Sequence, residues 1–195
     1  MFPWWNFFVV IGGPQAHDNS AEKLHPMIRE DLPTFSPMPK LTALLHTHND
    51  ALRLGRALDS LRPCDEVLVI DDDSDDDTER VAREHGANLK KAIPGVTPGA
   101  YAMDALHEWI FCLRPNESLS EDLEAALFEW KEGEVDPNLA CFAAPIRREN
   151  GIGWEKLPPE VRLVNRARIN WVGEMPPNQA GSAVLSGDLL SFREP

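Results

Sequence analysis

The sequence predicts an α/β domain with a mostly parallel sheet flanked by helices, and an antiparallel hairpin near its C-terminal end. The main observation is an alternation along the chain. Short apolar runs at 41–45, 67–70 and 109–113 are separated by segments whose apolar residues recur at helical spacing. Strand, helix and strand in this order are typical of a parallel sheet with right-handed crossovers. A length of 195 residues suits one such domain with a sizeable core.

The elements are predicted in the following order. Asn49 or Asp50 caps a helix after the first strand, and Pro63 ends that helix before the second strand. Ser120 caps a later helix, followed by acidic residues in its first turn. The other elements are a helix over 78–85, a strand over 88–92, a helix over 100–108 with Leu106 turned inward, a central strand over 109–113, a strand over 140–146, and a hairpin of 161–164 with 169–172.

The composition excludes some partners. A net charge of -13 and a pI of about 4.8 disfavour nonspecific binding to nucleic acid or to an anionic membrane, because the field of the protein repels polyanions. Cys64, Cys112 and Cys141 are odd in number and far apart, with no C-x-x-C pair. Reduced thiols in the cytoplasm are therefore expected.

The N-terminal part differs from the rest. Residues 1–11 are apolar but too short to cross a bilayer, which takes about 20 residues. They also lack the basic start of a signal peptide, so membrane contact would be peripheral at most. Residues 15–39 contain four prolines and few apolar residues in register. The sequence therefore predicts an extension or linker over 1–39 and a domain over 40–195.

An acidic run follows the second predicted strand. Residues 71–77 contain six aspartates, and they begin where that strand would reach the surface. Ligands of open α/β sheets bind outside the carboxyl ends of the strands, so Asp71 and Asp72 lie where a nucleotide would be bound. The same acids could instead stabilise the N-terminus of the next helix. A calcium loop is a third interpretation, with Asp73, Asp75, Asp77 and Glu84 as ligands, although its sixth position is Thr78 rather than glycine.

Two further groups of residues suggest ligands. His46 and His48 alternate at the end of the first strand and could bind a metal ion, although two ligands make a weak site. Several arginines lie toward the C-terminus of an otherwise acidic chain, as a solvated face or as a phosphate cradle. These arginines are Arg147, Arg148, Arg162, Arg166 and Arg168.

The order of these motifs over about residues 40–178 resembles the inverting family-2 glycosyltransferases of the bacterial lipopolysaccharide-core type, which have the GT-A fold. Two stretches carry the resemblance: Thr-His-Asn-Asp at 47–50 and Val-Ile-Asp-Asp-Asp-Ser-Asp-Asp-Asp-Thr at 69–78. The resemblance implies a GT-A-like (Rossmann-like) sheet and a nucleotide-diphosphate sugar as donor. It implies nucleotide-binding roles for Thr47, Asn49, Asp71, Asp72 and Ser74.

The chain departs from that family at the end of the fourth strand. The family has an Asp-x-Asp motif there that binds magnesium or manganese, whereas this chain has Arg114, Asn116 and Glu117. Asn116 and Glu117 are the remaining candidate metal ligands. Arg114, together with Arg147 and Arg166, is predicted to bind the diphosphate in place of part of the missing cation. The alternative is that Arg114 only forms a surface ion pair with Glu117. The family's later histidine is also absent, and the chain ends before the family's usual C-terminal helices.

Two functions remain open from the sequence. The first is transfer of a sugar, with inversion, from a nucleotide-diphosphate sugar to an acceptor, in cell-envelope polysaccharide synthesis as the resemblance implies. Such a reaction requires a carboxylate that deprotonates the acceptor hydroxyl, for which Glu174 and Glu117 are the candidates. The second is a catalytically degenerate relative that binds a nucleotide or a partner. The sequence identifies neither the donor sugar nor the acceptor.

Overall fold

The computed structural model describes residues 38–193, and the structural findings below concern this part of the chain. The predictions for the apolar segment at 1–11, and for the linker up to residue 37, lie outside the described residues.

Four parallel strands form one half of a mixed sheet. They are β1 (Leu41–Thr47), β2 (Glu66–Asp71), β3 (Asn88–Lys91) and β4 (Trp109–Cys112). They lie side by side in the order β3-β2-β1-β4. Within residues 38–193 the helical connections are α1 (Ala51–Asp59), α2 (Thr78–Glu84), a 3-10 helix (Pro98–Asp104) and α3 (Glu121–Glu132). The predicted mostly parallel α/β fold is confirmed.

The C-terminal half of the sheet is mainly antiparallel. Its strands are β5 (Glu117–Leu119), β6 (Cys141–Glu149), β7 (Trp154–Asn165), β8 (Ala183–Val184) and β9 (Leu189–Ser191). The long strand β7 runs antiparallel to both β4 and β6, and therefore joins the two halves of the sheet. The hairpin consists of β6 and β7. The expected pairing of 161–164 with 169–172 is wrong, because 161–164 pair with β4 and β6 and 169–172 form no strand.

The strands β1, β2 and β4 are buried on both faces, which explains their continuous apolar runs. Ala43 and Leu45 face one core cluster, which also contains side chains of α1 and α3. Leu44, between them, faces a second cluster that contains Tyr101 of the 3-10 helix. This alternation is the period of two expected of a strand. No helix within residues 38–193 is long and apolar enough to cross a membrane.

The segment after β3 differs from its prediction. The α-helix expected over 100–108 is replaced by the 3-10 helix (Pro98–Asp104), and Leu106, expected to face inward, is 73% exposed. Gly99 explains part of this difference. A Cβ atom at Gly99 would overlap the backbone carbonyl of Trp171, and the Gly99 N–H donates to the carbonyl of Val172 at 3.2 Å. This close contact between distant segments fixes the backbone and overrides local helix preference.

Candidate functional site

A cleft of about 970 Å³ lies outside the carboxyl ends of the four parallel strands. The strand order reverses beside β1, since β2 and β3 lie on one side of it and β4 on the other. Ligands of open α/β sheets bind at such a reversal. The polar residues that line the cleft come from all four strand ends, the start of α1, the 3-10 helix and one later loop. They are His46, Thr47, His48, Asp50, Arg53, Asp72, Asp73, Lys91, Tyr101, Arg114, Asn116 and Glu174.

Asp71, the last residue of β2, is fully buried. Its carboxylate accepts hydrogen bonds from the Ser74 hydroxyl at 2.5 Å, the Ser74 N–H at 3.1 Å and Lys91 Nζ at 2.8 Å. The Thr47 hydroxyl is a fourth, longer donor at 3.4 Å. Burial opposes ionisation, but the hydrogen bonds from Lys91 and Ser74 and the charge of Lys91 together outweigh it, so the pKa of Asp71 is lowered. Asp71 is therefore a buried anion that organises the loop after β2.

The predicted nucleotide-binding residues come together at this strand end, but they do not all reach the cleft. Thr47 and the exposed Asp72 line it. Asp71, Asn49 and Ser74 lie behind them. The Asn49 N–H donates to the Ser74 hydroxyl at 2.9 Å, and the Asn49 side chain accepts from the Asp75 N–H at 2.9 Å. These three residues therefore connect the ends of β1 and β2 and support the residues that face a ligand.

One residue of the acidic run, Asp76, stabilises the starts of two helices. Asp76 accepts hydrogen bonds from the Thr78 N–H at 2.8 Å and the Ala51 N–H at 3.1 Å, and so contacts the first residues of both α1 and α2. Asp50 is the N-cap residue of α1, as predicted, but its side chain makes no capping hydrogen bond and instead pairs with Arg53 at 2.6 Å. The interpretation that these acids stabilise helix N-termini thus holds for Asp76. It does not explain Asp72 and Asp73, which line the cleft.

The calcium-loop interpretation does not fit the structure. Two of its proposed ligands, Asp77 and Glu84, both form ion pairs with Arg80, at 3.1 and 2.8 Å. The helix α2 begins at Thr78, where the loop would have to turn sharply.

The two histidines at the end of β1 have different environments. His46 is largely buried and contacts the ring of Tyr101 edge-on, with the ring centroids 5.8 Å apart. Burial lowers the pKa of His46 to about 4, so this imidazole is neutral at pH 7. His48 is exposed, and its Nδ1 lies 2.6 Å from the Asp72 carbonyl, which raises its pKa. Among residues 38–193 no three His, Cys, Asp or Glu side chains are grouped to hold a metal ion.

Glu117 follows β4 and is buried in a network of charges. Both of its carboxylate oxygens accept hydrogen bonds from the Arg162 guanidinium, each at 2.9 Å, and Arg162 is itself fully buried. Arg114 donates to the same carboxylate through its N–H and its Nη1, each at 3.0 Å. Arg162 also contacts Glu160 at 2.9 Å. The predicted roles of Glu117 as base and metal ligand do not fit this burial, because the carboxylate is already bound by four donors.

Asn116 does line the cleft, but its side-chain amide is bound to the C-terminal part of the chain. The Asn116 Nδ2 donates to the carbonyl of Phe192 at 3.1 Å, and the Asn116 carbonyl accepts from the Phe192 N–H at 2.9 Å. Its Oδ1 would be one neutral metal ligand beside two guanidinium groups. Magnesium and manganese need several oxygen ligands, so the residues at the end of β4 do not fit the metal that the resemblance implied.

Three predicted site residues remain. Glu174 reaches the cleft, whereas Arg147 and Arg166 do not. Glu174 is exposed and lines the cleft. Arg147, on β6, pairs with Asp188 at 2.7 Å and lies outside the cleft. Arg166 also lies outside it, and donates to the carbonyls of Ala102 and Met103 at 2.8 and 2.9 Å. The structure thus places Arg114 alone of the three predicted diphosphate-binding arginines in the cleft.

One residue of the site, Lys91, and the partner of another, Arg162, were not predicted from the sequence. Lys91 ends β3 and lines the cleft, and its Nζ contacts both Asp71 and Glu79. The position of Lys91 could have been inferred, since the carboxyl ends of neighbouring parallel strands meet at one edge. The pairing of Arg162 with Glu117 could not, because it joins residues 45 positions apart and depends on the register of β7.

Comparisons with known proteins agree with the fold and with part of the resemblance. No family model matches the chain. A Rickettsia felis protein named as an uncharacterized glycosyltransferase is 34% identical over 91 residues, which cover 45% of this chain and 32% of that protein. A Rickettsia prowazekii protein of the same description is 31% identical over 91 residues, 45% of this chain and 31% of its own length. The chain thus spans about a third of the length of these curated relatives.

A solved structure supports the assignment of the fold. A mycobacterial protein superposes with a TM-score of 0.52 at 13% identity, covering 79% of this chain and 65% of that chain. At this identity the match shows a shared fold and nothing about activity. The predicted resemblance to glycosyltransferases is confirmed by the names of the sequence relatives.

Proposed function

We propose that this chain binds a nucleotide-diphosphate sugar in the cleft and transfers the sugar to an acceptor with inversion at the anomeric carbon. The observation that carries the proposal is the position of the cleft, at the reversal of strand order and beside the acidic end of β2. Its volume of about 970 Å³ is within the range of ligand pockets. The names of the sequence relatives support sugar transfer as the chemistry.

The nucleoside would lie against the ends of β1 and β2. Thr47 and Asp72 line this side of the cleft, and we propose that they contact the base or the ribose. Asp71, Asn49 and Ser74 would act behind them by fixing the loop. This differs from a direct base contact by Asp71, whose carboxylate is already bound by Thr47, Ser74 and Lys91 and is fully buried.

The proposed general base is Glu174. Its carboxylate would take the proton of the acceptor hydroxyl, while the acceptor oxygen forms a bond to the anomeric carbon from the face opposite the diphosphate. The bond from that carbon to the diphosphate breaks, and its electron pair leaves with the nucleoside diphosphate. Glu174 fits because it is exposed and lines the cleft, whereas Glu117 is buried and fully hydrogen-bonded. A cell-envelope polysaccharide as the acceptor is the part of the proposal that rests on the resemblance alone.

The test is a screen of nucleotide-diphosphate sugars for release of the nucleoside diphosphate, with and without a mixture of bacterial polysaccharide acceptors. The proposal expects turnover of at least one donor, and a loss of at least a hundredfold in kcat for Glu174→Gln. Glu134→Gln, at an exposed residue outside the cleft, is the matched control. Binding of a nucleoside diphosphate without turnover of any donor would indicate the noncatalytic relative instead. Absence of both binding and turnover would contradict the proposal.

A further inference from the structure

We propose that Arg114, and not a divalent metal ion, holds the diphosphate of the donor at the end of β4. This inference rests on the proposed function, because it assigns a part of the same ligand to one side of the same cleft.

The charged residues at the end of β4 do not suit a metal ion. A metal ion here would lie beside Glu117, whose carboxylate is already hydrogen-bonded by two guanidinium groups, those of Arg114 and Arg162. These two positive charges repel a dication. A metal ion could use the Glu117 oxygens only by displacing Arg162, which is fully buried and would then have lost its main partner. Glu160, the other carboxylate at this strand end, is also bound to Arg162, so neither carboxylate is free to bind a metal ion.

Arg114 is the guanidinium of this strand end that lines the cleft. Arg162 binds Glu117 with two hydrogen bonds and also binds Glu160, so Glu117 keeps its main partner when Arg114 contacts a ligand. Arg114 is 39% exposed in its side chain and lines the cleft. Its contacts with Glu117 and, at 3.7 Å, with Glu160 both use Nη1. Within the described part of the chain, the Nη2 and Nε donors of Arg114 have no hydrogen-bond partner, and a phosphate accepts such a pair of donors well.

Lys91, another cation of the cleft, is less available to a phosphate than Arg114. Each of them contacts two carboxylates, but the Lys91 ammonium binds both Asp71 and Glu79 closely, whereas the Arg114 guanidinium binds Glu117 at 3.0 Å and lies 3.7 Å from Glu160. Of the two, Arg114 keeps a pair of N–H donors, Nη2 and Nε, without a partner in the described part of the chain. The Arg114 guanidinium is held in place by Glu117, through both its backbone N–H and its Nη1. Glu117 thus acts as a positioning residue for a guanidinium that faces the anionic part of a ligand.

The experiment is calorimetric titration of uridine, guanosine and thymidine diphosphates, with the chelator EDTA or with Mn²⁺. The nucleoside diphosphate that binds most tightly is then compared with its nucleoside in the wild type and in Arg114→Ala, Arg114→Lys and Arg80→Ala. Arg80 is an exposed arginine of α2 outside the cleft, and it makes ion pairs with Asp77 and Glu84.

We expect the diphosphate to bind in EDTA, with an affinity at least tenfold lower in Arg114→Ala, an intermediate loss in Arg114→Lys and no change in Arg80→Ala. Binding of the nucleoside should be the same in all four proteins, which also reports that the variants are folded. Binding that requires Mn²⁺, or equal loss of nucleoside and diphosphate binding in Arg114→Ala, would overturn the inference while leaving the proposed function in place. If no nucleoside diphosphate binds even with Mn²⁺, the proposed function itself fails.

Discussion

The ends of β2 and β4 lie on either side of β1, and each binds a buried carboxylate with different partners. Each strand end has a buried carboxylate: Asp71 is the last residue of β2, and Glu117, the first residue of β5, follows shortly after β4. Asp71 is bound mainly by hydroxyl and amide groups, with one half-exposed lysine. Glu117 is bound by two guanidinium groups, one of them fully buried. The side of the cleft next to β2 therefore presents carboxylates, and the side next to β4 presents a cation.

This difference has a consequence for ligand binding. The exposed acids Asp72 and Asp73 suit the hydrogen-bond donors of a base or ribose, whereas Arg114 suits a phosphate. A nucleoside diphosphate would therefore have a preferred direction in the cleft, with the nucleoside toward β2 and the diphosphate toward β4.

The largest effect is expected when the buried pair at β4 is broken. Arg162→Met should lower the free energy of unfolding by about 3–5 kcal/mol, because it leaves Glu117 buried without its main partner. Urea unfolding at pH 7 measures this change. The double variant Arg162→Met/Glu117→Leu should recover a large part of the loss, since no uncompensated charge remains. If the double variant is as unstable as the sum of the two single variants, the charge pair is not the cause.

The next effect is a pH dependence from His46, which lies between the two strand ends. Its pKa in the folded protein, about 4, is below the value near 6.5 of an unfolded chain. The stability from keeping His46 neutral is therefore complete above pH 6.5 and is lost as the pH falls toward 4, by up to about 3 kcal/mol. Urea unfolding at pH 7 and at pH 5 should show this loss in the wild type and a smaller one in His46→Gln. His48→Gln should not reduce this loss, because the pKa of His48 is raised in the folded protein and its contribution has the opposite sign.

A smaller effect is expected at the β2 end. Asp71→Asn keeps the shape of the side chain but removes the charge that Lys91 and Ser74 bind, and should cost roughly 2 kcal/mol of stability. Because the pKa of Asp71 is lowered in the folded protein, this contribution is present above the unfolded value near pH 4 and is lost as the pH falls through the folded value. Thermal unfolding between pH 7 and pH 3 should thus depend less on pH in the variant than in the wild type. Equal slopes would contradict a bound anion at this position.

The smallest effect is expected from the substitution of an exposed acid of the cleft, in contrast to the buried Asp71. Asp72→Ala should weaken nucleoside binding about tenfold, or about 1.4 kcal/mol, without changing the melting temperature by more than a degree. Asp75→Ala, in the same run but outside the cleft, is the matched control. If both variants bind the nucleoside as the wild type does, the acidic side of the cleft does not contact it.

The sequence predicted the parallel half of the fold better than the rest. The apolar runs of β1, β2 and β4 are buried on both faces, so local composition alone identifies them. The pairing of β7 was missed because it depends on which distant strands lie beside it. The 3-10 helix was missed because Gly99 packs against the backbone at Trp171, a contact that no local pattern reveals.

The candidate site, like the fold, was predicted better where it depends on the parallel strands. Residues directly after a parallel strand, such as Asp72 and Arg114, were placed correctly in one cleft, since the strand ends converge by topology. Arg147 and Arg166 were not, because their positions follow from the register of the antiparallel strands and their ion pair or carbonyl partners. Charge alone indicates that an arginine could bind phosphate, but not whether it faces the ligand.

A crystal structure of the protein with a nucleoside diphosphate and Mn²⁺, with anomalous diffraction measured at the manganese edge, tests the account most directly. The account predicts the nucleoside beside Asp72, phosphate oxygens within about 3 Å of the Arg114 guanidinium, and no anomalous peak at the end of β4. A manganese ion between Asn116 and the phosphates, or a nucleotide bound in the opposite direction or outside the cleft, would contradict it.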